Sequence, residues 1–506
     1  MTVLKVYQRS KALSCVLREI DTRIQQLVEK QYSTSHPNSP EQMLDMELKH
    51  QAFGREMADL LTAHEIVSAH QDSSFVQQAT AESRAKYRGE GIVTPIENQG
   101  WLPVTINLVG GMILKMKTPY LLPRSGIRPG RPRGVGKRGK NGAGTYPVLV
   151  SLGIAEKATP ATRSEISRQV VLCSSYAEAQ EQLQRAGLQL DMDTIIRIAT
   201  RTGEKALDLR QEALQKAIED PLPEVSIVEG QRIRVCVDGG RSRIRRTNRR
   251  SRKKKNGRRP FELEWREPRV VTIDVLNKEG ETDRGWRPIY EVSLGHADDV
   301  FVLICGLLRM IGAHKAVKIV FLSDGAEWIW NRVHELREWA EIPKERMEIA
   351  LDYWHATGHI ADALKACKSL SESERTSWLK RLRKILLKRN GAKQVIEELR
   401  PLAKGRRGKK INKEIAYLEK HLEHMEYWRL RKEKLPIGSG IVESTVRRIV
   451  NLRFKSASMC WLEERLESLL YLRAILKSGR WDDAVRGRLT NSHFLIQSLQ
   501  TDVSSL

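Results

Sequence analysis

QRIRVCVDGG, residues 231–240, decides how this chain is read. Ile233, Val235, Cys236 and Val237 form a short apolar run that ends in Asp238 and two glycines. That is the pattern of a strand stopped by a turn. Moving outward, EPRVVTIDVLNKEG (267–280) and RPIYEVSLGH (287–296) read as two more strands. ADDVFVLICGLLRMIGAH (297–314) reads as a helix that opens on acids and ends at Gly312. KAVKIVFLSDGA (315–326) has the continuous apolar run of a buried parallel strand. EWIWNRVHELREWA (327–340) reads as a helix and RMEIALDYWH (346–355) as a fifth strand. Three strands, helix, strand, helix, strand is a mixed α/β sheet.

The surroundings are basic. Lys and Arg number 87 against 62 Asp and Glu, a formal charge of +25 over 506 residues. Twelve of the twenty residues 241–260 are Lys or Arg. Such an excess points to a polyanionic partner, and DNA is favoured because no run of about twenty apolar residues provides a membrane span. The opening MTVLKVYQRSKALSCVLREIDTRIQQ interrupts its apolar residues with charges and lacks a signal-peptide core. Six scattered cysteines without a CxxC pair suit a reducing, cytoplasmic setting.

Upstream of the sheet, residues 1–90 read as a helical region, a candidate oligomerisation arm, broken at STSHPNSPEQ (33–42). Residues 91–157 read as short strands running into a Gly/Pro-rich basic linker, with seven basic residues between Arg124 and Lys140. Residues 158–225 read as a helix-turn-helix: a helix after Thr159-Pro160, a compact helix ending at Gly187, and a third starting near Asp191 or Asp193. The third would present Asp193, Thr194, Arg197 and Arg201 to DNA. Downstream, residues 360–435 read as a basic helical insertion, 436–485 return to the catalytic domain begun at 226–359, and 486–506 form a tail.

Three carboxylates stand where this sheet gathers them. Asp238 ends the first strand and Asp324 the fourth, and these two strands are expected to be parallel neighbours. Ligand and catalytic groups in such sheets collect beyond the carboxyl ends of strands. Glu443 falls in the first turn of a helix in LPIGSGIVESTVRRIVNLRFK (435–455). Converging carboxylates repel unless a cation neutralises them, and hard oxygen donors suit Mg²⁺ or Mn²⁺, as two ions in phosphodiester chemistry. Asp238, Asp324 and Glu443 are therefore the expected catalytic and metal-binding residues. Asp352 and His355 in LDYWHATGH (351–359) are candidate accessory groups, with Asp352 a rival to Asp324. Arg241, Arg245, Arg246, Lys253, Lys254, Lys255, Arg197, Arg201, Arg447 and Lys455 are the expected DNA contacts. Trp328, Trp330, Trp354 and Trp461 read as core.

VDGGR (237–241), LSDGAEWIW (322–330), LDYWHATGH and the block from Ile437 through Ala474 resemble the ISKra family of bacterial insertion-sequence transposases, which is related to the Mutator-like DDE transposases. The resemblance covers roughly residues 160–485. It implies an RNase H-like domain interrupted by a helical insertion, with Asp238, Asp324 and Glu443 at the DDE positions and Asp352 and His355 at a [C/D]xxH motif. It also implies cleavage at transposon ends followed by strand transfer, in a homo-oligomeric synaptic complex on the nucleoid. One departure is clear: transposases of this type often carry a Cys-rich zinc segment ahead of the catalytic domain, and residues 91–150 contain no cysteine. Two other readings stand beside it: a non-catalytic, transposase-derived DNA-binding regulator, and an RNase H-like nuclease or resolvase.

Overall fold

The computed structural model describes residues 3–5, 13–31, 36–89, 96–123, 144–247, 260–404, 408–457 and 459–485. The basic linker expected at 124–140, Lys253, Lys254 and Lys255, and the tail 486–506 lie outside the described residues. The chain divides into two units, residues 1–199 and 200–506. Among the described residues no helix is long and apolar enough to cross a membrane.

In the first unit, helices Leu13–Gln31, Pro40–Gln71 and Ser73–Gly89 precede a hairpin. Ser39 caps the second helix by accepting from the Gln42 N–H, and Pro40 occupies its first turn, where no intrahelical N–H is needed. The strands are β1 (Val3–Lys5), β2 (Ile96–Asn107) and β3 (Ile113–Pro123). β2 and β3 pair antiparallel, and β1 adds parallel to β3. Ile20, Leu60 and Val67 from the helices share one core with Ile106, Leu114 and Met116 from the hairpin. The helical region and the strand segment, which differ in periodicity, thus bury their apolar faces against each other. Helices Pro160–Leu172 and Tyr176–Arg185 follow, capped by Thr159 and Ser175. Gly187 turns the chain at φ +97°. The next helix, Met192–Glu219, has its first turn closed by Asp191 Oδ1, which accepts from the Thr194 N–H at 2.8 Å.

The second unit is built on a mixed sheet of five strands. In chain order its strands and the neighbouring ribbon are β4 (Arg232–Gly239), β5 (Ser242–Thr247), β6 (Phe261–Arg266), β7 (Arg269–Leu276), β8 (Ile289–Ser293), β9 (Lys318–Ser323) and β10 (Met347–Leu351). The sheet order is β10-β9-β4-β7-β8. β4, β9 and β10 are mutually parallel, while β7 pairs antiparallel with both β4 and β8. All five sequence-read strands are present, and the first and fourth are the parallel neighbours expected. The single helix expected over 327–340 is two pieces, Glu327–Trp330 and Val333–Trp339. Within the sheet Arg234 stands opposite Asp274 and donates to both its oxygens, at 3.0 and 2.7 Å. Both are buried, so removing either partner would strand a charge and cost about 3–5 kcal/mol.

The insertion follows helix Tyr353–Ala366 with Glu372–Leu386, Gly391–Leu399, Gly408–Lys420 and Tyr427–Lys432. It is fastened to the sheet edge. Arg429 holds Glu348 of β10 bidentately, at 3.0 and 2.7 Å, and the Tyr427 hydroxyl donates to the Leu351 carbonyl at 3.0 Å. Glu443 lies in helix Gly440–Val446, which continues through a π turn at Arg447–Asn451 into Leu452–Phe454. Helix Glu463–Lys477 packs on β8 and closes the unit.

Candidate active site

Because β4, β9 and β10 are parallel, their carboxyl ends emerge at one edge of the sheet. Each delivers an aspartate there: Asp238 in β4, Asp324 just after β9, Asp352 just after β10. Their surroundings differ.

Asp238 is half-buried and takes a single backbone hydrogen bond, from the Gly239 N–H at 2.7 Å. Its pKa is pushed up to about 6. Burial is the main cause, and the negative charges of Asp324 and Glu443 add to it; His355 pulls the other way. Asp238 is therefore within electrostatic reach of Asp324, Glu443 and His355. Asp324 is half-buried and accepts from the Ala326 N–H at 3.0 Å. Glu443 and His355 are exposed on their helices.

Asp352 is buried and its oxygens are occupied. Oδ1 caps helix Tyr353–Ala366 by accepting from the His355 N–H at 2.7 Å, and Oδ2 accepts from the Ser439 N–H. The second bond, with Tyr353 N–H donating to the Ile437 carbonyl at 2.9 Å, ties the Gly438-Ser439-Gly440 turn to the sheet. Asp352 thus holds the start of the helix that carries Glu443. Both its oxygens are taken up in this joint, whereas Asp324 accepts from one backbone N–H, that of Ala326.

Sequence reasoning missed Tyr417. It rises from the insertion helix Gly408–Lys420, and its hydroxyl donates to the Asp324 carbonyl at 2.7 Å. Gly325, at φ +80°, makes room for it, since a Cβ there would sit 2.2 Å from the hydroxyl oxygen. The Tyr417 ring stacks on His359 at 3.6 Å between centroids, and His359 Nδ1 pairs with Glu414 at 2.6 Å. His355 and His359, four residues apart on one helix, were the available signal. Trp330 and Trp461 are buried, as a core reading expects, but Trp354 is 59% exposed. It stands beside Gly438.

Among the described residues no group of three or more His, Cys, Asp and Glu side chains is already drawn together as a metal cluster. The donor set nonetheless fits Mg²⁺ or Mn²⁺. These ions bind through one or two carboxylates and fill their remaining positions with water and phosphate oxygens. Burial, and after it the negative charges of Asp324 and Glu443, raises the Asp238 pKa, and a bound cation would offset both costs.

The expected DNA contacts separate into two groups. Arg241, Arg245, Arg447 and Lys455 are exposed in the second unit. Arg246 is exposed but bound to Glu264 at 2.7 Å and lies 3.9 Å from Glu463. Arg197 pairs with Glu156, and Arg201 with Glu204 at 2.9 Å, so each carries a local counter-charge. Within the basic run, Ser242–Thr247 is a strand that pairs antiparallel with Phe261–Arg266, which follows the run, as a ribbon, β5-β6. No family model, curated protein or solved structure matches the chain.

Proposed function

We propose that this chain is a DDE transposase of the ISKra type, with an RNase H-like catalytic domain that cuts DNA at element ends and joins them to a target. One observation carries this reading. The ends of two adjacent parallel strands bring Asp238 and Asp324 to one edge, and Glu443 is close enough to raise the pKa of Asp238. Three antiparallel strands with two parallel strands added beside the first support the RNase H-like reading, because that order makes the first and fourth strands neighbours.

Asp238, Asp324 and Glu443 would hold Mg²⁺ or Mn²⁺, which when bound supplies charge neutralisation and an activated water for in-line displacement at phosphorus. The protein's own part is positioning. Asp352 fixes the turn before Glu443, and Tyr417 fixes the main chain at Asp324. His355 is exposed beside the carboxylates, where it would contact DNA or move a proton. Arg241, Arg245, Arg447 and Lys455 would grip phosphates near the cut, and the helices of 158–225 would recognise the element end. Joining two ends to a target requires a homo-oligomer and places the protein on the nucleoid.

The test is a reaction of the full chain on DNA carrying the sequences that flank its gene, with Mg²⁺, Mn²⁺ or EDTA. Metal-dependent cleavage at the element ends, lost in Asp238→Ala, Asp324→Ala and Glu443→Ala, is the expected result. Cleavage without joining would favour the nuclease reading. Specific binding with no cleavage in either metal would favour the regulator.

A further inference from the structure

The β5-β6 ribbon has two unlike faces. On one, Ser242 and Ile244 are buried, Arg246 pairs with Glu264, and Arg266 pairs with Glu463. On the other, Phe261, Leu263 and Trp265 alternate along β6 and are 48, 54 and 55% exposed. The register sets Arg245 opposite Leu263 and Arg243 opposite Trp265, so arginines flank this apolar stripe. None of these five residues is acidic.

At Trp265 the stripe opens into a concavity of about 540 Å³ lined by Arg243, Trp265, Asn451, Lys455, Ser456 and Ala457. That volume lies within the range of about 300–1,000 Å³ typical of small-ligand sites. The Arg243 guanidinium stands 5.5 Å from the centre of the Trp265 ring. It also donates to the carbonyls of Ser456 and Ala457, at 2.6 Å for the first, so the indole and the rim are held together.

The walls of this concavity extend directly from the candidate active site. β5 begins four residues after Asp238, and Asn451 lies eight residues beyond Glu443 on the same helix. Gly240 lets the two segments touch, since a Cβ there would meet Val450 at 3.0 Å. Eight residues of helix span about 12 Å, roughly three to four nucleotide steps along one strand of DNA.

We propose that this concavity receives an unpaired base of the DNA strand whose phosphate lies at the carboxylates. Trp265 offers a stacking face, Asn451 an amide for a base edge, and Arg243, Arg245 and Lys455 the charge for the flanking phosphates. The inference rests on the DNA reading above and adds the substrate feature recognised: a strand unpaired a few nucleotides from the cut. The apolar stripe alone would also suit a protein partner. The arginines and lysine around it, in a chain of net charge +25, favour a polyanion.

The experiment is fluorescence anisotropy of the full chain with one labelled duplex and the same duplex carrying a three-nucleotide single-stranded gap, in EDTA to prevent cleavage. Wild type is expected to prefer the gapped DNA by about tenfold, as one stacked base provides. Trp265→Ala is expected to remove the preference and leave duplex affinity within about twofold. Trp265→Phe should keep most of it, and thermal melting checks that the variants fold. A preference unchanged in Trp265→Ala, or no preference in wild type, overturns the pocket and leaves the DNA reading standing. Binding to neither DNA overturns both. Loss of self-association in Trp265→Ala with the gap preference intact overturns the pocket and makes the stripe a protein interface.

Discussion

Asp238 and Asp352 stand at the ends of parallel strands of the same sheet, yet their surroundings differ. Asp352 meets two backbone N–H donors, from His355 and Ser439, and closes a structural joint. Asp238 meets one, and faces two further negative charges. An aspartate after a strand is therefore neither catalytic nor structural by its position alone. What decides is whether the fold supplies donors to its oxygens or other carboxylates beside them.

The sharpest way to break this contrast is activity. Asp238→Asn keeps the shape and removes the charge, and metal-dependent cleavage is expected to fall at least about 1,000-fold, a loss of roughly 4 kcal/mol in transition-state stabilisation. Asp352→Ala is expected to act on the fold instead. It leaves the buried Ser439 N–H and the His355 N–H at the helix start without a partner, for about 2–4 kcal/mol of stability, read as a lowered midpoint in urea. Equal melting of Asp352→Ala and wild type would sink its structural role.

A third comparison uses pH. The Asp238 carboxyl titrates near 6 in the folded chain and near 3.8 when unfolded. Above pH 6 the folded state bears the full cost of the charge, and below about 4 it bears none. Wild type should therefore lose stability from this group as pH rises from 4 to 6. Asp238→Asn should melt higher than wild type at pH 8, by about 1–3 kcal/mol, with the gap closing by pH 4. Mg²⁺ should raise the melting point of wild type at pH 8 and leave Asp238→Asn unmoved. The smallest effect is expected at Tyr417→Phe, which loses one hydrogen bond to the Asp324 carbonyl. A drop of about three- to tenfold in kcat with KM for DNA unchanged would sharpen its positioning role. A change in KM alone would remove it.

The five strands were legible because each is a short apolar run bounded by glycines or charges, and their order implied that Asp238 and Asp324 adjoin. Glu443 was legible from the Gly-Ser-Gly turn before it. The β5-β6 ribbon was not. In Ser242–Thr247 arginines alternate with Ser and Ile, so the strand looked like part of a charge run. Its partner hides Trp265 among glutamates. Asp352 read as a rival ligand because its second donor, Ser439, lies 87 residues away. Tyr417 was invisible for the same reason: its target carbonyl is 93 residues distant. Local pattern reports periodicity, and these contacts depend on tertiary placement. The shared core of the first unit, which joins helices to a hairpin, was hidden in the same way.

The insertion between Asp324 and Glu443 also has a consequence for how the molecule is made. Asp324 emerges from the ribosome about 120 residues before Glu443, and Asp238 and the basic ribbon emerge earlier still. At about 5–20 residues per second, that interval lasts roughly 6–24 s. During it a nascent chain has the ribbon and two carboxylates but lacks the third. Tyr427 and Arg429 must settle on β10, and Ser439 on Asp352, before Glu443 is brought to the edge. If the chain is the proposed transposase, synthesis order works as a safety catch: a chain stopped short by premature termination lacks the third carboxylate.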